Sequence, residues 1–459
     1  MGMGRTKRRR KRNNKQHFRV CCCDDEVIRL NSWLIKQGVR RSKKLKLAIF
    51  KESGRGVLTK KNIRAGEELI NLPLHSTINV TTLLLDPLFC SIFIDNKKLC
   101  LQEFERSVSF QSLIAFYILF LKVQGADSSW HIYLNSLPKT YTVPYFLSNE
   151  LTCLVDAEIR AVINNQKDII DSSFNIYRVV LNETNSRNTL VKDFVKHFNR
   201  SEYEWAYFTV NTRCVYMDLS NLINLTNKDN TILALVKDST KISLCPFLDM
   251  INHSPTAKNE TKLLINTNIE NIPVETLTEN VFSDVRFSIF TKNNFQKFSE
   301  VFICYGDSYN LKLVTEYGFY LPMNDLDYVA FEFEKIKIFL NLMKVKLSSD
   351  QLDFINKHGL YKDLYIDFRG LSFNLCGLLM VVKHYYAKDV NVSKLLYSAA
   401  IQSNDKTLTD VIKPMVKEKL NDLKLAVNKL KSYNDCVILN NCVELMCQFI
   451  RILEKFIKC

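Results

Sequence analysis

The spacing of apolar residues predicts a small β unit near the start of the chain. Between residues 45 and 75, short apolar runs are separated by two glycine-containing segments, Ser53-Gly54-Arg55-Gly56 and Arg64-Ala65-Gly66. Short runs bounded by residues that favour turns are typical of strands joined by tight turns. We therefore expect a compact unit of short strands here.

A helical block separates this unit from later strands. From about residue 105 to 240, apolar positions recur every three or four residues, as they do from Leu113 to Leu121. Alternation typical of strands returns between Val285 and Ile303, and helical spacing resumes from about 330 to the end. The pattern predicts an α+β fold whose strands are interrupted by a long helical insertion and followed by an all-helical C-terminal domain. Thr256 to Ser283, rich in Asn and Thr, is predicted to be a surface insertion.

Length and composition narrow the class of protein. The chain has 459 residues, of which 47% are hydrophobic and 24% charged, as in ordinary globular proteins. This length allows roughly two to four packed units, at about 100 to 200 residues per domain, and argues against a single small binding module. The longest apolar run, Leu113 to Leu121, is far shorter than the roughly 20 residues needed to cross a bilayer, so we expect no membrane span.

The net charge of +15 lies mostly in an N-terminal tail, residues 1–24. Nine cations and no acid stand in residues 1 to 19, including the run from Lys7 to Arg12. No apolar segment follows that would make this tail a secretory signal, and we expect the protein to stay inside the cell, in the nucleus and cytoplasm. The run favours nuclear import, although many such runs are solvated tails.

The 14 cysteines do not predict a metal site. In an intracellular protein they are expected to be reduced and mostly buried, and beyond Cys21-Cys22-Cys23 none has the paired spacing that zinc requires. His253 has no second histidine or carboxylate at metal-binding spacing. We expect no metal.

Several short motifs are ambiguous when each is taken alone. Gly54-Arg55-Gly56 is typical of a turn, and Asn252-His253-Ser254-Pro255 is either a turn or a ligand site. The chain has no Gly-x-Ser-x-Gly elbow, phosphate-binding glycine loop or dinucleotide fingerprint, which argues against those classes of enzyme.

Five short motifs become informative when their order along the chain is considered. They are Ser53-Gly54-Arg55-Gly56, Asn211-Thr212-Arg213, Asp249-Met250-Ile251-Asn252-His253-Ser254, Val301-Phe302-Ile303-Cys304-Tyr305-Gly306 and Glu316-Tyr317-Gly318-Phe319. In this order the chain resembles SET-domain protein methyltransferases of the Rubisco large-subunit methyltransferase-like branch. The resemblance implies a SET domain at residues 25–325, with its helical insertion at about 105–240, and a helical substrate-binding domain at 326–459.

This resemblance also implies a cofactor, S-adenosylmethionine, and residues to hold it. The backbone of Ser53, Gly54, Arg55 and Gly56 would approach the cofactor. Arg213 would pair with the cofactor carboxylate, as suits a permanently charged planar donor. Asn252 would bind its ammonium end, the backbone of His253 would contact its adenine, and Asp249 would brace the strand crossing.

For catalysis, the resemblance implies roles for three aromatic residues. Tyr305 matches the catalytic tyrosine of the family, and Tyr317 and Phe319 would line the channel through which the target side chain enters. Tyr317 is placed with Tyr305 in the catalytic group. Lys297-Phe298-Ser299-Glu300 departs from the family pattern, because a Gly-Glu turn is usual there.

Lysine of a substrate protein is the favoured methyl acceptor, with histones among the candidates, and we expect a monomer. A histidine methyltransferase is the alternative within the same branch, because neutral imidazole is available near neutral pH. A non-catalytic interaction protein with this fold is a further alternative. A nucleic-acid-binding protein is another, through the tail and a second group of cations, although we expect no such binding beyond the tail. That second group is Lys36, Arg40, Arg41, Lys43, Lys44 and Lys46.

Overall fold

The computed structural model describes residues 18–94, 104–184, 186–225, 230–265, 269–278, 280–388, 390–397, 405–433 and 436–458. The cation run from Lys7 to Arg12 lies outside these ranges. The chain divides into two compact units. The first unit comprises residues 1–141 and 168–307, and the second comprises residues 142–167 and 308–459. The domain limits that the sequence predicts, 25–325 and 326–459, stay a prediction.

The strands and helices of both units are numbered here in chain order. The strands are β1 (Phe18–Val20), β2 (Arg40–Arg41), β3 (Leu45–Phe50), β4 (Gly54–Thr59), β5 (Glu68–Pro73), β6 (Cys214–Tyr216), β7 (Ile223–Asn224), β8 (Ile242–Leu244), β9 (Asn252–His253), β10 (Asn259–Leu264), β11 (Ile272–Pro273), β12 (Arg286–Thr291), β13 (Glu300–Ile303), β14 (Tyr328–Ala330), β15 (Tyr365–Asp367) and β16 (Gly370–Leu371). The helices are α1 (Asp25–Lys36), α2 (Val80–Leu84), α3 (Pro87–Ile94), α4 (Phe110–Val123), α5 (His131–Asn135), α6 (Asn149–Leu154), α7 (Ala157–Glu183), α8 (Thr189–His197), α9 (Arg200–Arg213), α10 (Thr231–Leu235), α11 (Asn310–Lys312), α12 (Phe333–Leu342), α13 (Ser349–Lys357), α14 (Phe373–His384), α15 (Val392–Leu396), α16 (Lys406–Leu430) and α17 (Val437–Lys458).

One strand of the first unit brings distant motifs together. Its five-stranded sheet has the order β1-β3-β4-β13-β9. The first half of β13 pairs antiparallel with β4, where Glu300 lies opposite Leu58. The second half pairs parallel with β9, where Ile303 lies opposite His253. Because β13 changes partner midway, the glycine-rich start of β4 and the Asn252-His253 pair flank the same strand.

A helix end supplies the next part of this region. The side chain of Asn199 accepts a hydrogen bond from the backbone N–H of Glu202 and so caps the start of α9. The helix ends at Arg213 because Cys214 is extended and begins β6. A cation in the last turn is favoured by the negative end of the helix dipole. The buried face of α9 thus carries the Arg213 side chain toward the interior of the first unit.

The predicted surface insertion from Thr256 to Ser283 contains a strand that the sequence did not reveal. Strand β10 is the edge of a four-stranded sheet, β10-β12-β5-β2, and pairs with β12 from Asn259 opposite Thr291 onward. Its side chains are exposed or half-buried. An edge strand that buries little lacks the alternation of apolar and polar residues by which strands are recognised.

The second unit has one continuous apolar core. Leu147, Val155, Ile159 and Ile163 pack into the same cluster as the helices of the C-terminal region, which is why residues 142–167 belong to this unit. The region is helical except for a three-stranded sheet, β14-β15-β16. The expectation of an all-helical C-terminal region is wrong in this respect, because strands of two or three residues are too short to produce a periodic signal. Among the helices of the described ranges, none has both the length and the apolar character to span a membrane.

Candidate functional site

The glycine-rich segment that opens β4 packs tightly against two polar side chains. Gly54 has a φ of +69°, a conformation that favours glycine. Gly56 is required for a different reason. A Cβ atom there would lie 2.7 Å from Asn252 Nδ2 and closer still to the Glu300 carboxylate. The absence of a side chain at Gly56 therefore lets these two groups reach the backbone of β4.

Glu300 organises this polar cluster and was not among the predicted site residues. Its carboxylate accepts hydrogen bonds from Ser53 Oγ, at 2.9 and 2.8 Å, and from Asn252 Nδ2 at 2.8 Å. The Asn252 amide also donates to the carbonyl oxygen of Arg55, at 3.2 Å. Burial raises the pKa of Glu300, although the hydrogen bonds from Asn252 and Ser53 oppose the rise. The cluster thus holds a carboxylate in a fixed position beside the glycine-rich segment.

A buried ion pair lies next to this cluster. Arg213 Nη1 is 3.0 Å from the carbonyl oxygen of Asp249 and 3.2 Å from its Oδ2 atom. The Asp249 side chain has no exposed surface, and that of Arg213 is 15% exposed. Tyr133 donates its hydroxyl to the same Oδ2 atom at 3.1 Å, while the indole of Trp33 stacks on the Tyr133 ring. Asp249 therefore braces Arg213 from the interior. The role in bracing the strand crossing that the resemblance implies for Asp249 stays a prediction.

Electrostatics at the ion pair favour an anion. Burial raises the pKa of Asp249, whereas the guanidinium groups of Arg213 and Arg55 oppose the rise. Burial lowers the pKa of Arg55, and the nearby charge of Arg213 lowers it further. Two guanidinium groups thus lie close enough to one buried carboxylate to feel its charge. The ion-pair partner of Arg55, Glu26, lies 3.5 Å away and is 56% exposed. The excess charge at this point is positive.

Unpaired polar atoms are concentrated here. Of the seven buried side-chain nitrogen and oxygen atoms that lack a hydrogen-bond partner in the described part of the chain, three belong to this group: Arg55 Nη2, Arg213 Nε and Asp249 Oδ1. An unsatisfied buried polar atom costs about 1–3 kcal/mol. Such a cluster is expected where a ligand completes the hydrogen bonding.

Tyr305 is held at both its backbone and its side chain. The backbone N–H of Tyr305 donates to Nδ1 of His253 at 3.1 Å, so the ring proton of neutral His253 is on Nε2. Burial lowers the pKa of His253, which favours this neutral form. The Tyr305 hydroxyl donates to the carbonyl oxygen of Ile251 at 2.8 Å. Its oxygen is thereby fixed at the end of β13, beside the Asn252-His253 strand.

The first unit therefore gathers most of the predicted site residues, namely Ser53, Gly54, Arg55, Gly56, Arg213, Asp249, Asn252, His253 and Tyr305. Tyr317 and Phe319 belong to the second unit, where their ring centroids are 6.3 Å apart. Gly318 between them has a φ of +79°, and the Thr142 hydroxyl donates to its carbonyl oxygen at 2.9 Å. Their predicted role as channel walls stays a prediction.

Two residues of this region escaped sequence analysis. Tyr133 was visible only as one aromatic residue among several in the helical block, and Glu300 stood in the segment that departs from the family pattern. Glu300 directly precedes the apolar run Val301-Phe302-Ile303, so the start of a strand was the only available signal. Within the ranges that the structure covers, no group of three or more His, Cys, Asp or Glu side chains is arranged to hold a metal ion.

The chain is similar to several known proteins along most of its length. No family model matches the chain. It is 27% identical to SET domain-containing protein 4 of Artemia parthenogenetica, over 93% of this chain and 95% of that protein. It is 24% identical to the ribosomal lysine N-methyltransferase set11 of Schizosaccharomyces pombe, over 90% of this chain and 92% of that protein. The actin-histidine N-methyltransferase of Rattus norvegicus is 25% identical over 61% of this chain, which corresponds to 40% of its own length.

Solved structures give the same fold. The SET domain of LSMT bound to MeLysine and AdoHcy superposes with a TM-score of 0.59 at 18% identity, over 95% of this chain and 91% of that one. Rubisco LSMT bound to AdoMet superposes with a TM-score of 0.56 over the same shares. The chain therefore has the SET fold and resembles SET-domain protein methyltransferases of the Rubisco large-subunit methyltransferase-like branch along nearly its whole length.

Proposed function

We propose that this protein is a protein-lysine N-methyltransferase that uses S-adenosylmethionine (AdoMet). The observation that carries the proposal is the charge pattern at the start of β4. The guanidinium groups of Arg55 and Arg213 have buried nitrogen atoms that lack a hydrogen-bond partner. The Glu300 carboxylate accepts from the Asn252 amide, which also donates to the backbone carbonyl of Arg55 and so joins the negative group to the same segment. A positive and a negative group held by one short segment suit the carboxylate and ammonium of an amino acid.

These residues fit the methionine part of AdoMet. Arg213 Nε and Arg55 Nη2 would donate to the carboxylate. Asn252 Oδ1, which accepts no hydrogen bond from the described residues, would accept from the ammonium together with Glu300. When bound, the cofactor supplies an electrophilic methyl group. The Cβ argument at Gly56 indicates that its backbone must stay bare for Asn252 and Glu300 to keep their positions.

Tyr305 would orient the acceptor. Its hydroxyl donates its proton to the Ile251 carbonyl oxygen, and we infer that the hydroxyl oxygen accepts an N–H from an approaching amine. Such a contact aligns the nitrogen lone pair for displacement. A free lysine has a pKa of about 10.4 and must first lose a proton. The positive sulfonium of the bound cofactor would lower the pKa of this amine and favour its neutral form.

Support for lysine over histidine comes from the relatives that are similar over most of this chain. The ribosomal lysine enzyme aligns over 90% of it, whereas the actin-histidine enzyme aligns over 61%. Histidine remains the second candidate because of that similarity. A non-catalytic role is disfavoured because a scaffold has no need to retain Arg213, Asn252 and Tyr305 together in one arrangement.

Substrate and location are further parts of the proposal. We include histones among the candidate substrates, and the nucleus and cytoplasm as locations, on the basis of the Lys7 to Arg12 run. A fluorescent fusion that lacks residues 1–19 should lose nuclear accumulation. Equal nuclear fractions with and without those residues would contradict the import role. The proposed monomeric state is tested by sedimentation velocity.

Radiolabelled methyl transfer to purified core histones and ribosomal proteins tests the reaction, followed by amino-acid analysis of the product. We expect methyl-lysine, and methyl-histidine instead would favour the second candidate. The pH dependence of the transfer rate is a second way to distinguish a lysine acceptor from a histidine acceptor. Transfer to lysine should rise tenfold per pH unit below the amine pKa, whereas transfer to histidine should level off above about pH 7, since imidazole has a pKa of about 6.5. A folded protein that binds AdoMet yet labels no acceptor would favour the scaffold role.

A further inference from the structure

A groove on the second unit has chemistry that the methyl-transfer site does not use. It encloses about 440 Å³ and is lined by the start of α7, by β14 and the residues after it, and by α12 and α16. All of these lining residues belong to the second unit. The groove combines an ionic base, an acidic rim and an apolar side.

The base of the groove is an ion-pair network centred on Lys419. Lys419 Nζ donates to Glu158 Oε1 at 2.9 Å and lies 4.0 Å from Asp156 Oδ2. The same Glu158 oxygen accepts the backbone N–H of Ala330 at 3.1 Å. The Lys419 ammonium also lies 5.6 Å from the centroid of the Phe331 ring. The Lys419 ammonium is thereby taken up by Glu158 and Asp156, and it offers no free positive charge to a ligand.

The rim carries carboxylates without cationic partners. The lining contains five carboxylates and two ammonium groups. Lys419 is taken up by the base, and Lys335 pairs with Glu332 at 2.7 Å. Glu418 and Asp422, one turn apart on α16, form no ion pair with any residue that the structure describes. The rim is therefore negative on a chain whose net charge is +15.

The apolar side of the groove is exposed to an unusual degree. Ile338 and Leu342 are separated by one turn of α12 and are 60% and 77% exposed. Phe339 and Met415 lie beside them in the lining. Methionine and aromatic side chains are common on surfaces that adapt to peptide partners. A contiguous apolar surface framed by charge is typical of an interaction site.

We propose that this groove docks a basic amphipathic segment of the substrate protein, in which lysine or arginine residues flank leucine-like side chains. The proposal rests on the proposed function, since the partner is the protein that is methylated. Charge complementarity selects this occupant. Glu418 and Asp422, which form no ion pair with the described residues, attract a cationic segment to this place on the second unit. Ile338 and Leu342 then bury its apolar side chains.

Fluorescence anisotropy with a synthetic labelled peptide tests the groove without requiring catalysis. The probe has Leu pairs spaced i, i+4 with Lys and Arg between them. Two further peptides carry Ser in place of Leu, or Glu in place of Lys and Arg. The full-length protein should bind the first peptide at least about tenfold more tightly than either of the others.

Variants with matched controls locate the site. Glu418→Lys combined with Asp422→Lys should weaken binding about tenfold or more, and so should Leu342→Asp. Asp410→Lys reverses a charge on the same helix, and Leu425→Asp changes an exposed leucine of that helix. Neither residue lines the groove, so both variants should bind the probe as the unchanged protein does. Circular dichroism verifies that each variant is folded.

Four outcomes would overturn the proposal. These are unchanged affinity in the groove variants, equal binding of the Ser-substituted peptide, tighter probe binding after removal of residues 1–17, and self-association that the groove variants abolish. The third would assign the groove to the basic segment of the chain itself, and the fourth to a second copy. Calorimetry with AdoMet on the unchanged protein and the groove variants distinguishes failure of the docking proposal from failure of the proposed function. The groove variants should still bind AdoMet, whereas a protein without the proposed function would not.

Discussion

Each unit of this protein contains a buried ion pair, and the two pairs differ in how completely they are satisfied. In the second unit, Glu158 accepts hydrogen bonds from Lys419 and from the backbone of Ala330. In the first unit, Arg213 and Asp249 are paired at 3.2 Å, yet each retains a buried atom without a partner. A buried pair is tolerated only when its remaining hydrogen-bonding capacity is filled. The satisfied pair is structural, whereas the unsatisfied pair indicates a ligand site.

The largest expected effect comes from breaking the satisfied pair. Lys419→Met should lower the free energy of unfolding by about 3–5 kcal/mol, because Glu158 would be left buried without its cation. Urea denaturation followed by circular dichroism measures this. Lys413→Met on the same helix breaks an exposed pair with Asp410 and should cost less than about 1 kcal/mol. Equal stability of the two variants would mean that Glu158 and Lys419 are not a buried pair in solution.

The next effect concerns catalysis in the first unit. Tyr305→Phe should lower kcat by about 10² to 10³, because the oxygen that we propose to orient the acceptor is removed while its neighbours remain. Calorimetry should find AdoMet affinity within about twofold of that of the unchanged protein. Tyr216→Phe, at a tyrosine that is 65% exposed, is the control and should leave kcat unaltered. A similar kcat in both variants would remove Tyr305 from the reaction.

Substitution of Gly54 and of Gly56 distinguishes a glycine needed for its backbone conformation from a glycine needed for close contact. Gly56→Ala should lower stability by about 1–3 kcal/mol and weaken AdoMet binding, because its Cβ would displace Asn252 and Glu300. At Gly54 nothing lies within 4 Å of a Cβ, so Gly54→Ala should cost only the strain of a positive φ, about 1–2 kcal/mol, and spare binding. Thermal melts and calorimetry measure both quantities. Tighter AdoMet binding by Gly56→Ala than by Gly54→Ala would reverse this assignment.

The smallest effect is a pH dependence. Because burial raises the pKa of Glu300 in the folded state, the unfolded chain ionises first, and the native state loses stability as pH rises from about 4.5 through the folded pKa. The stability of Glu300→Gln relative to the unchanged protein should therefore increase over this range. Glu260→Gln should show the opposite slope at lower pH, because Lys262 lowers the pKa of Glu260. If the relative stabilities of the two variants changed with pH in the same direction, the raised pKa of a buried Glu300 would be contradicted.

Sequence patterns predicted the elements that bury apolar side chains. The runs in β3, β4, β12 and β13 and the helical block between them were all visible in the spacing of apolar residues, and their motif order led to the SET fold. Strand β10 escaped because Asn259 to Lys262 is polar and lies at a sheet edge. Strands β14 to β16 are too short to show any periodicity.

The site was predictable only as far as its motifs extend. Arg213, Asn252 and Tyr305 stand in short motifs that the resemblance depends on, so the sequence alone predicts them as site residues. Glu300 accepts a hydrogen bond from Ser53, which is 247 residues away in sequence. Tyr133 donates one to Asp249, which is 116 residues away. Contacts over such separations are created by the fold and leave no local pattern. The unpaired atoms of Arg55, Arg213 and Asp249, at the ligand site that we propose, are likewise a property of packing alone.

Isothermal titration calorimetry with AdoMet tests the central claim most directly. The unchanged protein, Arg213→Lys and Tyr305→Phe would be compared. Lysine keeps the charge that faces Asp249 but lacks the planar fork of arginine, so Arg213→Lys should remain folded and bind AdoMet at least about tenfold more weakly. Tyr305→Phe should bind as the unchanged protein does. Absence of binding by the folded, unchanged protein, or equal affinity in Arg213→Lys, would contradict the assignment of this cluster as the cofactor site.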